Sequence, residues 1–213
     1  MCRILPLVSV LLSFATVLPC GLPAAESETP NVVYVSTPHD VVARMLQMAK
    51  VTKDDVVYDL GCGDGRIVVT AAKKYGCKAV GYDIKQERVE ESLRNVKKAR
   101  VEKLVSIQRK NIFKLDLSPA SVVTLYLLPE LNVELIPQLA KLKPGSRVVS
   151  HDFDMQGITP DKVVTLRSKE DNVEHTIYLW TTPLKKAKPS KDLLDMAVPF
   201  PPLPAEPVPN GSP

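Results

Sequence analysis

The chain is predicted to fold as an α/β domain, with a mostly parallel sheet of seven strands covered by helices on both faces and closed at one edge by an antiparallel hairpin. Three observations predict it. Short apolar runs alternate with amphipathic stretches of helical length from residue 55 to residue 150, the pattern that right-handed βαβ crossovers demand. A glycine-rich turn, "DLGCGDGR" (59–66), follows the first apolar run. Two β-rich runs, "KVVTLRS" and "EHTIYLWTT", then lie close enough in sequence to pair as a hairpin.

The elements read in order. "STPHDVVARMLQMAKV" carries helix-start chemistry: Thr37 as cap, Pro38 at the first helical position, Asp40 in the first turn, and Val41, Val42, Met45, Leu46 and Ala49 on one face. "DDVVYDL" is a buried strand running into the glycine turn. "RIVVTAAKKYG" is a helix stopped by Gly76, and "KAVGYDI" a second strand ending at Asp83. "KQERVEESLRNVKKARV" is an amphipathic helix with Val89, Leu93 and Val96 as its apolar stripe. "LVSIQRKNIF" gives a third strand and a turn, and "ASVVTLYLL" a fourth strand. "ELNVELIPQLAKL" is a helix despite Pro137, and "SRVVSHDF" is the fifth strand.

With 213 residues, 45% of them hydrophobic and 24% charged, the chain is long enough for one well-buried domain plus terminal segments. A net charge of +4 without a basic, aromatic-studded block argues against a nucleic-acid partner. Residues 1–25 have the layout of a secretory leader: Arg3, an apolar run from Ile4 to Leu18, then Gly21, Ala24 and Ala25. The domain expected is 37–184, with 26–36 as a linker and the proline-rich 185–213 as a disordered tail. The leader implies an exported, periplasmic or membrane-attached protein, or a cytoplasmic one if the segment is an anchor or the start is misassigned. Cys62 and Cys77 are expected to stay free, because a ten-residue helix holds its ends about 15 Å apart and a disulfide needs Cα atoms within about 7 Å.

The spacing of the glycine turn selects its ligand. The dinucleotide pattern G-x-G-x-x-G fails whether counted from Gly61 or Gly63, and the G-K-[ST] of a phosphate loop is absent. Asp59 and Asp64 flank the turn and would repel a pyrophosphate, whereas a cationic ligand with ribose hydroxyls suits it. Asp59-x-Gly61-x-Gly63-x-Gly65 after an apolar strand, with Asp83 closing the next, resembles class I, seven-strand S-adenosylmethionine-dependent methyltransferases. The resemblance implies a Rossmann-like fold and S-adenosyl-L-methionine as cofactor. It places Asp59, Gly61, Gly63, Asp64 and Gly65 under the amino-acid part, Asp83 on the ribose hydroxyls, and Ile84, Asn111 and Ile112 around the adenine. It also folds Tyr34 and Thr37 over the ligand.

"TPHDVV … VYDLGCGDGRIV … GYDI … LYLLP … SHDF" is similar to small bacterial relatives of the seven-strand protein-lysine methyltransferases, among them the mitochondrial enzyme that acts on the ATP synthase c-ring protein. This implies a lysine acceptor near the fourth and fifth strand tips, with Asp152, Glu130 and His151 as candidate catalytic groups and Asp154 and Tyr126 nearby. Leu127-Leu128-Pro129-Glu130 replaces the Asp/Asn-Pro-Pro-aromatic motif of base methylation, so no nucleic acid is expected as acceptor. A small-molecule acceptor and a non-catalytic cofactor-binding protein are the alternatives. No His/Cys/Asp group has ligand spacing along the sequence, so no metal is expected.

Overall fold

A computed structural model describes residues 34–187. The leader, the linker to residue 33 and the segment 188–213 lie outside the described residues. In chain order the elements are α1 (His39–Met48), β1 (Val56–Leu60), α2 (Arg66–Tyr75), β2 (Lys78–Asp83), α3 (Gln86–Ala99), β3 (Val105–Arg109), a 3-10 turn (Ile112–Lys114), β4 (Val122–Leu125), α4 (Pro129–Leu139), β5 (Arg147–His151), β6 (Lys162–Arg167) and β7 (Glu174–Thr181). The sheet order is β3-β2-β1-β4-β5-β7-β6. β1 to β5 are parallel, and β7 runs antiparallel to both β5 and β6. The tips of β1, β2, β4 and β5 and the start of β7 therefore share one edge.

Alternation along the central strands builds two cores. Val57, Val122 and Val149 face α1, α2 and the Val96 side of α3, while Tyr58, Leu60, Val123, Leu125 and Val148 face α4 and the 3-10 turn. Trp180 is 1% exposed on the second side, and its indole donates to the Ile158 carbonyl.

Four local expectations are corrected. Thr37 does not cap α1: the helix starts at His39 with Pro38 before it, and the Thr37 hydroxyl is bonded to His151 instead. The apolar stripe of α3 passes through Ser92, not Leu93, which is 49% exposed. A small residue is needed there because α3 crosses the glycine turn, where a Cβ on Gly65 would come within 2.9 Å of Ser92 Oγ. β4 ends at Leu125, so Tyr126 leaves the strand and is only half buried. Finally, residues 185–187 belong to the fold rather than the tail: Thr159 N–H donates to Lys185 O, Ala187 N–H donates to Gly157 O, and Lys186 bridges to Ile158.

Candidate active site

The glycine turn is an over-determined piece of backbone. Gly61, Gly63 and Gly65 all have positive φ (81°, 53° and 78°), a conformation that costs side-chain-bearing residues energy. Gly61 and Cys62 N–H both donate to the Tyr82 carbonyl on β2, and Gly63 N–H donates to Asp83 Oδ2 at 3.0 Å. From α3, Ser92 donates to Gly63 O at 2.7 Å and Asn95 to Asp64 O at 2.9 Å. The second Asp83 oxygen accepts from Lys85 N–H at 2.9 Å. The Asp83 carboxylate thus ties the turn to the start of α3 and keeps further lone pairs for a ligand.

Asp59 is 2% exposed. Its Oδ1 accepts from the Thr124 hydroxyl at 2.6 Å, and its Oδ2 is buried with no hydrogen-bond partner. Burial first, opposed by that hydrogen bond and reinforced by Asp83 and Asp64, pushes its carboxyl up to about 7. Such an acid awaits a positive ligand. Asp64 is the opposite case. Burial works to raise its pKa, but the Arg66 fork, from Nε at 3.0 and 3.1 Å and Nη2 at 2.7 Å, outweighs burial and holds it below the usual carboxylate range. Arg66 Nη1 also donates to Thr37 O at 2.7 Å. Tyr34 lies on Gly63, accepts from Asp64 N–H at 3.2 Å, and carries the Arg88 guanidinium 4.9 Å from its ring centre.

At the β5 tip, His151 is fully buried. Its Nδ1 is 3.0 Å from Thr37 Oγ1 and its Nε2 is 2.8 Å from His175 Nδ1. His175, at the start of β7, also meets Asp152 Oδ2 at 3.0 Å and, through Nε2, Asp171 Oδ2 at 3.1 Å. Asp152 Oδ1 accepts from Thr176 N–H at 2.8 Å, which fixes a residue with φ of 57°. Burial pulls His151 down to about 4, against the pull of Asp152, so its ring is neutral. Burial also lowers His175, but Asp152 and Asp171 outweigh it and raise its pKa overall. The network assigns the protons: His151 donates from Nδ1 to Thr37 and accepts at Nε2 from His175, whose other N–H goes to Asp171. Tyr126 covers the cluster, its ring 4.0 Å from His151 and 6.1 Å from Phe153.

The ANTKMT methyltransferase domain model matches residues 59–162, from the glycine turn to the start of β6. A "Protein-lysine N-methyltransferase" of Saccharolobus islandicus is 51% identical over 156 residues, 72% of this chain and 96% of that protein. This chain belongs to the class I S-adenosylmethionine-dependent methyltransferases. A crystal structure titled RNA methyltransferase from Salinibacter ruber, in complex with S-adenosyl-L-homocysteine, is 46% identical, with a TM-score of 0.65, covering 73% of this chain and 97% of that one. The human lysine N-methyltransferase named for the c-ring protein of ATP synthase is 30% identical over 123 residues, 57% of this chain and 52% of that protein.

The methyltransferase uses S-adenosyl-L-methionine, and its residues fit that group. An orphaned buried carboxylate oxygen on Asp59 suits a ligand bearing a sulfonium and an ammonium, and the side-chain-free glycine turn permits close approach. Asp59, Gly61, Gly63, Asp64, Gly65, Asp83 and Tyr34 are brought together at the β1 and β2 tips. Asn111 starts the 3-10 turn, where its side-chain oxygen accepts from Phe113 N–H at 2.9 Å, so the carbonyl expected to meet adenine already has a backbone partner. Ile84 is 39% exposed beside Asp83, and Ile112 packs on the second core. Thr37 joins the β5 cluster rather than the glycine turn. His151 and Asp152 come together, whereas Glu130 is exposed in the first turn of α4 and makes no hydrogen bond to them.

Sequence reasoning missed His175, Arg66, Thr124 and Asn132. Asn132 is a buried α4 residue whose amide donates to Phe153 O and Asp154 O, pinning the loop after β5. The signal for His175 was available: of three histidines in the chain, two occupy strand ends at the same edge.

Proposed function

We propose that this methyltransferase N-methylates lysine side chains of a protein substrate. The observation that carries the reading is Asp152. It is the part-exposed carboxylate at the edge of an otherwise buried histidine cluster, beside the half-buried Tyr126 ring, at the strand tip where the acceptor enters in this family. The 51% identical archaeal relative and the human ATP synthase enzyme, each named for lysine methylation, support it.

On this reading the glycine turn and Asp59 hold the amino-acid part of the cofactor, Asp83 takes the ribose hydroxyls, Ile84 and Ile112 flank the adenine, and Tyr34 folds over the turn. Bound S-adenosylmethionine supplies a methyl group already activated on sulfur, passes it in line to the attacking nitrogen and leaves as a neutral thioether. The chain's own task is alignment and proton handling. A lysine ε-ammonium, with a reference pKa of about 10.4, must lose a proton before its nitrogen can attack. Asp152 attracts and orients the ammonium, while apolar surroundings favour the neutral amine. His175, held by Asp171, fixes the Asp152 carboxylate, and buried His151 positions His175. Glu130 stays a charge at the N-terminus of α4.

The test incubates the full chain and labelled cofactor with three separated host fractions: protein, total RNA and small molecules. Label on lysine within protein is the expected outcome. Label confined to RNA would favour a second reading, motivated by the name of the Salinibacter relative. Label confined to small molecules would equally overturn the lysine assignment.

A further inference from the structure

Among the described residues, His151, Asp152 and His175 are the group of potential ligands whose donor atoms converge. His151 Nε2 lies 2.8 Å from His175 Nδ1 and 3.2 Å from Asp152 Oδ2, and the third side of the triangle is 3.0 Å. Three donors about 2.1 Å from one ion, at angles of about 90–110°, stand about 3.0–3.4 Å apart. The observed triangle needs shifts of only a few tenths of an ångström to match. What lies behind the triangle matters more. Metal-bound histidines hold their second ring nitrogen in a hydrogen bond to a carboxylate, carbonyl or hydroxyl, which sets the tautomer and aims the ligand nitrogen. His151 Nδ1 is bonded to Thr37 Oγ1, His175 Nε2 to Asp171 Oδ2, and Asp152 Oδ1 accepts from Thr176 N–H. Each of the three residues is thus held by its far atom, with its near atom turned to a common centre. Asp152 is the exposed member, with 27% of its side chain accessible, and gives the centre its opening to solvent.

We propose that His151 Nε2, His175 Nδ1 and Asp152 Oδ2 form a binding site for one divalent transition-metal ion of the zinc, cobalt(II) or nickel(II) type. Two imidazoles and one carboxylate suit these borderline ions, whereas magnesium and calcium prefer all-oxygen sets. The ion takes the place of the proton that His175 Nδ1 shares with its two neighbours. That proton passes to solvent, and the nitrogen lone pair binds the metal. Spacing along the sequence gave no such set because the ligands come from β5 and from the antiparallel β7, 24 residues apart. The site goes beyond the methyl-transfer reading, and its test does not depend on activity.

The full chain is stripped with a chelator, dialysed and titrated with cobalt(II) alone, followed by visible absorption and calorimetry, and with zinc(II) while thermal unfolding is recorded. The expected result is one equivalent bound with micromolar or tighter affinity, and an unfolding midpoint raised by zinc(II). His175→Ala and Asp152→Asn should abolish the cobalt spectrum, and Asp171→Asn should weaken binding about 10–100-fold through the outer hydrogen bond. Asparagine tolerates the positive φ at 152, so that variant tests the ligand without breaking the turn. Absence of binding in the wild type, or binding unchanged in His175→Ala and Asp152→Asn, overturns the proposal. Failure of the lysine assay would leave this result untouched.

Discussion

At the β1 tip, the glycines, the two carboxylates and the arginine all come from the eight consecutive residues 59–66. At the β5 tip the side chains come from distant segments: Thr37 meets His151 across 114 residues, and His151 meets His175 across 24. The first region is shaped by backbone conformation, with three positive-φ glycines held by β2 and α3. The second is shaped by side-chain hydrogen bonds that exist only once β7 has paired with β5. Cofactor binding should therefore be sensitive to backbone changes and acceptor chemistry to side-chain changes, with little cross-talk.

The sharpest break of that separation is sought at Gly65. Its φ is 78°, and a Cβ there would approach Ser92 Oγ at 2.9 Å and the Ser92 Cα at 3.3 Å, so α3 itself must move. Gly65→Val should cost about 1–3 kcal/mol in strain and more than about 100-fold in cofactor affinity, read by urea unfolding and calorimetry with S-adenosylhomocysteine. The matching change at the other tip is His175→Ala. Turnover should fall about 10–100-fold, in the range of a lost proton-handling group, while S-adenosylhomocysteine binds within about threefold of wild type. A parallel loss of cofactor affinity in His175→Ala would show that the two regions are one.

A pH experiment sharpens the contrast from the cofactor side. Asp59 is raised to about 7, chiefly by burial, from an unfolded value of about 3.9. Between these values the folded chain binds more protons than the unfolded chain, so its stabilising effect is complete below about pH 4 and is lost as pH rises through 7. The slope is at most about 1.4 kcal/mol per pH unit. Asp59→Asn keeps an acceptor for Thr124 and removes the titration. Urea midpoints from pH 4 to 8 without cofactor should fall less steeply for the variant than for wild type, and identical curves would remove Asp59 as the source of the slope.

The same contrast explains what the sequence disclosed. The seven strands, their order and the glycine turn were legible because alternation, strand length and Gly65 and Gly76 as helix boundaries are local properties. Asp83 was legible as a strand-end acid. His175 was not, because a histidine opening an antiparallel strand is unmarked until the β5–β7 register puts it opposite the β5 tip. Thr37 misled for the complementary reason: Thr-Pro before an apolar run is local capping chemistry, but a buried imidazole needing an acceptor took the hydroxyl. Leu93 misled in the same way, since helical spacing admits either Ser92 or Leu93 and only the close crossing at Gly65 selects the small one.

Arg66 is where the separation of the two tips is most exposed to failure. Its guanidinium forks onto Asp64 inside the glycine turn and reaches Thr37 O, and the Thr37 side chain holds His151. Lysine keeps the charge but cannot make the fork and the carbonyl bond together. Arg66→Lys should therefore cost about 0.5–2 kcal/mol of stability, as one or two hydrogen bonds to or from a charged group are lost. The deciding measurement is a double-mutant cycle with Thr37→Val, reading turnover as well as unfolding. If the strap from Tyr34 to Thr37 transmits the position of the turn to His151, the two changes will be non-additive by about 0.5 kcal/mol or more. Additivity would mean that Arg66 serves only its own turn, and that the two ends of the site are set independently.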